Sequence, residues 1–430
     1  MLDRIQAQTS DSLSRWIEAV VLVLMALGTV FVFSAGASIG ATYDLRHFYS
    51  FTTLRNMLFF PLAVGVMYAV AAINYRCLGF DRGLLRSLTP YLLALAVVLL
   101  VLALVIGEGI GPERRFARRW LVLHLGSHRL SFQPSELAKW AVVFFLAAFM
   151  GRWPAAMRTL GRGFLPACAV VGLVVLLIVT QDFGTAAFIG LVAFLMLLMG
   201  PTRWWYLLGP VAVAVPLGAI LWITAPNALL TETRVHRIEG YLSRFNPEWF
   251  PEISASAQNY QADQSLCAIS TGGIWGTGLG NGVLKYGHLP EDTSDFIFAI
   301  ICEEMGFFGG GLTLLLFGLF IILGVFVVIR CADPFGRLLA AGIVTTIALQ
   351  AAINIGVVTV VLPTKGIPLP LVSAGGTSMV ITAAAVGVLL NVARTGDQGA
   401  RRPIRSASAT DLKQYLAEAA RAHTRQGCSV

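Results

Sequence analysis

The stretch HLPEDTSDFIFAIICEEMG at 288–306 puts five carboxylates, Glu291, Asp292, Asp295, Glu303 and Glu304, within fourteen positions, interleaved with Phe, Ile and Ala. Apolar neighbours raise the proton affinity of an acid and nearby Arg or Lys lower it, so an acid in such a setting can serve as a general base. Other polar groups stand at or inside apolar runs. Glu136 and Lys139 lie in QPSELAKW, Asp182 in TQDFGTA, Asn354 inside an apolar run, and Thr364 and Lys365 in PTKGIPLP, just before SAGGTS. Glu136 and Lys139, at i and i+3, share one helix face and can pair. Residues 108–134 hold Arg114, Arg115, Arg118, Arg119 and Arg129. Such a cluster suits a bound polyanion, or equally an interfacial amphipathic helix whose arginines touch lipid phosphates.

The elements that must position these groups are membrane spans. The 430-residue chain is 57% hydrophobic and 13% charged, more apolar surface than a soluble domain of this length hides. The net charge of +8 reflects Arg/Lys flanks of spans rather than nucleic-acid binding. The six cysteines are scattered, with no CxxC and no His cluster, which argues against a disulfide framework or a zinc site. Ten apolar segments, near 16–37, 56–74, 88–107, 136–150, 164–180, 184–200, 204–224, 299–329, 337–362 and 371–394, are long enough, or nearly so, to cross as helices. No strand pattern competes with them. The predicted class is an all-α integral membrane protein: ten transmembrane helices, with a large extracytoplasmic loop between helices 7 and 8. Residues 1–15 form a cytoplasmic N-terminal segment, 16–395 the membrane domain with the large outer loop at 225–298, and 396–430 a cytoplasmic tail. Ala35-Gly36-Ala37 mimics a signal-peptidase site, but the run before it is too long for a cleaved leader, so the first span is read as retained.

The positive-inside rule gives the direction. With the N-terminus inside, every inside segment carries at least one arginine, from Arg4 and Arg15 to Arg394, Arg401, Arg402 and Arg405. Both termini are then cytoplasmic, and nearly all the odd polar groups gather at the outer ends of the spans. Ionisable groups at membrane depth usually face a cavity and mark function. Helix capping and structural ion pairs account for any one of them, but poorly for the one-sided gathering. Ser294 is a plausible N-cap, with Asp295 in the first turn of the eighth span. A helix from Asp295 to Ile329 would be roughly 50 Å long, so its start must tilt, kink or stand clear of the membrane.

These residues resemble the SEDS family of shape, elongation, division and sporulation proteins, the FtsW/RodA group, over about 16–395. The resemblance is carried by FARRW (116–120), FQPSELAKW (132–140), DFGTA (182–186), YQADQSL (260–266), GTGLGNGVLKYGHLPEDTSDFIFAIICEEMG (276–306) and NIGVVTVVLPTKGIPLPLVSAGGTS (354–378). It implies a peptidoglycan glycosyltransferase that polymerises lipid II at the outer face of the cytoplasmic membrane. The implied partners are a class B penicillin-binding protein, other divisome proteins and membrane lipids. The family's essential aspartate falls on Asp295. GLGNG and PTKG look more like the division member and IPLP more like the elongation member, with the balance toward division. The chain departs from the family at Thr293, where a His is usual, at Asp292, an extra acid, at Gln181, where a Pro is usual, and at Ala374, where a Tyr is usual.

The resemblance makes Asp295 the base that deprotonates an acceptor sugar hydroxyl, which then displaces undecaprenyl pyrophosphate with inversion. Arg118, Arg119, Lys285 and Lys365 are the expected pyrophosphate contacts, Gln264 with Gln261 either holds sugar hydroxyls or only fixes the loop, and Ser373 is a further expected substrate contact. Glu136 and Lys139 are expected to tune Asp295 from the cavity wall, a helix-start ion pair being the other reading. Asp182 is expected to cap the sixth span, and Glu303 and Glu304 to face solvent or pair locally. A divalent cation, Mg²⁺ or Mn²⁺, is an expected assistant, with no dedicated metal motif in the sequence. A lipid II flippase or transporter, an elongation-type paralogue and a non-catalytic scaffold are the competing readings.

Overall fold

The computed structural model describes residues 2–35, 51–107, 119–125, 128–179, 181–210, 212, 241–242, 257–282, 294–363, 366–374 and 376–396. The helices are α1 (Leu2–Ala35), α2 (Phe51–Ala72), α3 (Thr89–Ile106), α4 (Pro134–Arg152), α5 (Leu165–Val179), α6 (Phe183–Met199), α7 (Ala257–Gly272), α8 (Ile297–Arg330), α9 (Pro334–Val358) and α10 (Gly376–Thr395). Among the described residues, seven helical stretches are long and apolar enough to cross a bilayer, and α6 and Leu58–Ala72 of α2 are shorter apolar helices. They match nine of the ten expected spans. The seventh, 204–224, lies largely outside the described residues, as do most of the 225–298 loop and the 397–430 tail.

One expectation is corrected. The chain is not all-α: Leu121–Leu125 (β1) and His128–Phe132 (β2) pair antiparallel, with Leu121 opposite Phe132 and Leu125 opposite His128. The first strand is apolar except at His124, and in the second Leu130 and Phe132 alternate with Arg129 and Ser131. The pair delivers the chain directly into α4.

The hydrophobic pattern builds the bundle in the ordinary helical way. In α1, Ile17, Val20, Val21, Leu24 and Met25 are buried, the i, i+3, i+4, i+7, i+8 face of a packed helix. The centre is α4, 78% of whose apolar stretch is buried, against 22% for α3 at the lipid-facing rim. Ala138, Ala141, Ala147 and Ala148 of α4 are all buried, small residues that let α6 and α9 approach closely. Around it α10 packs along α2, α8 packs on both α1 and α9, and α7 lies against α8.

The chain outside the spans adds a second polar centre at one end of the bundle. Asp333 caps α9, Tyr75 donates to its carboxylate at 2.7 Å, and the Tyr75 amide donates to Asn391 of α10 at 2.9 Å. Burial, then the hydrogen bond to Asp333, raises the Tyr75 phenol well above its ordinary value, so it stays a donor. Arg394 bridges to Glu18 at 3.3 Å at the same end.

Candidate functional site

The opposite end of the bundle is held by side chains from several elements, α4, α6, α9 and α10 among them. Lys139 and Glu136 of α4 form the expected i, i+3 ion pair at 2.9 Å, with side chains 2% and 9% exposed. The pair belongs to a larger network. Glu136 also accepts from Ser378 of α10 at 2.7 Å, and Lys139 also donates to Gln350 of α9 at 2.9 Å. The rings of Trp140 and Phe188 lie 5.5 and 5.9 Å from the Lys139 ammonium, contributing cation–π attraction where water is excluded.

Gln350 turns its other end outward, its Nε2 donating to the carbonyl of Pro368 at 2.9 Å. One helical turn on, Asn354 donates through Nδ2 to two carbonyls, Asp295 at 2.7 Å and Ile367 at 2.8 Å. The segment 366–373 is therefore held from below by two amides of one α9 face. Its own geometry is tight: Ser373 Oγ accepts from the Leu369 amide at 2.7 Å, and Leu371 sits at φ 66° although it is not glycine.

Asp295 is half-buried, in a turn ahead of α8. Phe296, not Ser294, is the N-cap and makes no side-chain capping bond, so the expected first-turn placement of Asp295 is corrected. Capping is not what holds it. Its carbonyl is bound by Asn354, and its carboxylate lies against Gly366, where an added Cβ would collide with Oδ2. Of the three outcomes its length left open, the start of α8 kinks. Gly306 takes φ 65° and ψ −154°, a conformation essentially reserved for glycine, and separates a short outer segment, 297–305, from the long span.

Glu303 and Glu304 correct a further expectation. Both are buried, 0% and 1% exposed, rather than facing solvent. Glu304 accepts from Ser34 at the end of α1, at 2.7 and 2.8 Å. Their carbonyls accept the amides of Thr277 and Gly278 at 2.9 and 3.0 Å, so the glycine-rich loop after α7 is laced to the α8 break. Asp182 is the expected cap of α6, accepting the Thr185 amide at 3.0 Å. Arg119 is bound there too, through the Gln181 carbonyl at 2.7 Å and Asp182 at 3.6 Å. Gln264 is half-buried on α7, and Ser373 is buried in the loop just described. Arg118, Lys285, Lys365, Glu291, Asp292 and Thr293 lie outside the described residues.

Sequence reasoning missed Gln350, Ser34 and Gly366. Gln350 carried a signal: a second amide four residues from Asn354 in an otherwise apolar span. Ser34 and Gly366 carried none, because their roles depend on partners 270 and 71 positions away.

A bundle of long apolar helices that joins a buried ion pair, two buried amides and a half-buried carboxylate at one end is a polytopic membrane protein with a polar site at that end. The chain belongs to the FtsW/RodA/SpoVE family, described as cell cycle protein, which matches residues 14–398. It is 35% identical over 378 residues to stage V sporulation protein E of Bacillus subtilis (strain 168), covering 87% of this chain and 95% of that one. It is equally 35% identical over 378 residues to a probable peptidoglycan glycosyltransferase FtsW of Geobacter sulfurreducens, covering 86% and 94%. Among solved structures, a chain from a peptidoglycan synthase complex that coordinates polymerization and crosslinking superposes with a TM-score of 0.66 at 26% identity, covering 89% of this chain and 98% of that one.

Proposed function

We propose that this protein is a peptidoglycan glycosyltransferase that polymerises lipid II at the outer face of the cytoplasmic membrane, with Asp295 as general base. The observation that carries the proposal is the mounting of Asp295: carboxylate against Gly366, carbonyl held by Asn354, in a chain 35% identical to a protein named for that activity. In the reaction, Asp295 takes the proton of the acceptor sugar 4-hydroxyl. The freed oxygen attacks the donor anomeric carbon, and undecaprenyl pyrophosphate leaves with inversion. One carboxylate suffices for an inverting displacement by a sugar hydroxyl. The leaving pyrophosphate needs cationic stabilisation more than an acid. Arg118, Arg119, Lys285 and Lys365 are the proposed contacts, with Gln264 and Ser373 shaping the sugar site and Glu136–Lys139 tuning its field.

A Mg²⁺ or Mn²⁺ ion would neutralise charge on the pyrophosphate. The proposed donors are carboxylate and pyrophosphate oxygens. The proposed topology has ten spans, both termini cytoplasmic and the polar end outside, supported by an arginine on every inside segment, with the arginine-rich outer loop 108–134 as the one exception to the rule. The reading is septal wall synthesis, supported by relatives named FtsW; an elongation-type role is the alternative. The proposed partner is a class B penicillin-binding protein, supported by a similar chain that works inside a polymerizing and crosslinking complex. A transporter would place its coupling site near the midplane of inverted repeats. Here the polar groups meet at the helix ends.

The test is polymerisation of purified lipid II by the full chain co-purified with that partner, read as glycan ladders on a gel. Wild type is expected to give ladders and Asp295→Ala none. Ladders from both would remove Asp295 as base; none from either, in a folded complex that binds lipid II, would remove the glycosyltransferase reading.

A further inference from the structure

We infer that Gln350 and Asn354 are positioning residues that fix the Asp295 carboxylate relative to the Glu136–Lys139 pair, using segment 366–369 as a shared strut. The inference rests on Asp295 being the base. Asp295 sits in a turn ahead of α8 rather than in the helix. Asn354 ties that turn to the strut. The amide nitrogen has two hydrogens, and it gives one to the Asp295 carbonyl and one to the Ile367 carbonyl. The base and the strut are therefore tied to one atom that is itself buried, Asn354 being 1% exposed.

Gln350 makes the matching connection on the other side. It is 2% exposed, accepts the Lys139 ammonium and donates to Pro368, the residue after Ile367. The two amides are i and i+4 on α9, so they present side by side from one rigid helix. The strut between them is stiff. Pro368 and Pro370 fix two backbone torsions, and the left-handed Leu371 is a strained conformation that persists only where its surroundings over-determine it. Its far edge carries the Gly366 surface against which the Asp295 carboxylate rests. A path of named bonds thus runs from Glu136 through Lys139, Gln350, Pro368, Ile367 and Asn354 to Asp295. Because a displacement of about 1 Å at a reacting group costs up to about 10² in rate, this path governs turnover more than substrate affinity.

The test compares wild type, Asn354→Leu, Gln350→Leu and Asp295→Ala, each as the full chain with its partner. It reads kcat for lipid II polymerisation, Kd for lipid II and the thermal unfolding midpoint in detergent. For both amide variants the expected result is a fall in kcat of about tenfold or more, with Kd held within about threefold, the protein folded and its unfolding midpoint only modestly lowered by the lost buried hydrogen bonds. Unchanged kcat at both positions, or kcat, Kd and unfolding falling together, would overturn the inference. If Asn354→Leu is not recovered folded, Asn354→Asp, which keeps the shape and removes the paired N–H donors, is judged by the same criteria. No folded variant at either position also overturns it. Activity in Asp295→Ala ends the base reading, and the inference with it. An inactive Asp295→Ala beside fully active amide variants ends only the inference.

Discussion

At the scale of single residues, Asp295 is defined less by its own side chain than by two neighbours with nothing reactive to offer. Asn354 holds its backbone and Gly366 leaves room for its carboxylate. Position 366 is a glycine because any Cβ there meets Oδ2, not because the backbone needs a left-handed turn. Gly366→Ala is therefore expected to cut lipid II polymerisation about 10²-fold while leaving expression and lipid II binding intact. Ladder intensity against lipid II binding on the same preparation checks it, and a fully active alanine variant would mean that the carboxylate can move aside without cost. The aspartate itself was legible from its motif. Its support was not, because Asn354 is 59 positions away and offers in sequence only an amide in an apolar span.

At the scale of elements, α4 is the pivot. Its small apolar residues place it at the bundle centre, and that burial removes Glu136 and Lys139 from water. A buried ion pair carries a large desolvation penalty, so removing one partner leaves an uncompensated charge and costs about 3–5 kcal/mol. Lys139→Ala is expected to destabilise the protein by that amount, read from unfolding in detergent. The double change Glu136→Gln with Lys139→Met should unfold much closer to wild type, since neither charge remains. Equal destabilisation by the single and double changes would show that the pair matters for packing rather than charge. The i, i+3 pairing could be read in advance because both partners lie on one helix. The helix α7 could not, although its motif was quoted. Its inward residues Ala262, Ser265, Ala268 and Gly272 are small or polar, so they form no apolar stripe for a periodicity argument to detect.

At the scale of the whole molecule, the two ends of the bundle carry different chemistry. One end ties Tyr75 to Asp333, the cap of α9, and to Asn391 of α10, and Glu18 of α1 to Arg394 of α10. The other gathers the Asp295 network, and the proposed topology puts it outside. Cys267 tests that topology directly: it is an exposed free thiol on α7, while Cys302 and Cys331 are buried. A membrane-impermeant maleimide is expected to label Cys267 in intact spheroplasts and to lose that label in Cys267→Ser. Labelling that appears only after permeabilisation would invert the orientation and with it the placement of the reaction.

The sequence by itself determined the membrane class, nine apolar helices (α1 beginning well before its expected span), the α4 ion pair, the Asp182 cap and the need for the start of α8 to tilt, kink or stand clear of the membrane. Each follows from local information: apolar run length, i, i+3 spacing, or a helix longer than a bilayer is thick. Only the tertiary structure decided that Glu303 and Glu304 turn inward, because the hydroxyl that meets Glu304 belongs to Ser34 on α1. Only it showed that Gln350 and Asn354 grip the same strut, and that the strut leaves Asp295 its place beside Gly366. Those contacts join segments tens to hundreds of positions apart. A hydrogen bond depends on distance in space, and the chain's pattern of residue types encodes that distance only after the helices have packed.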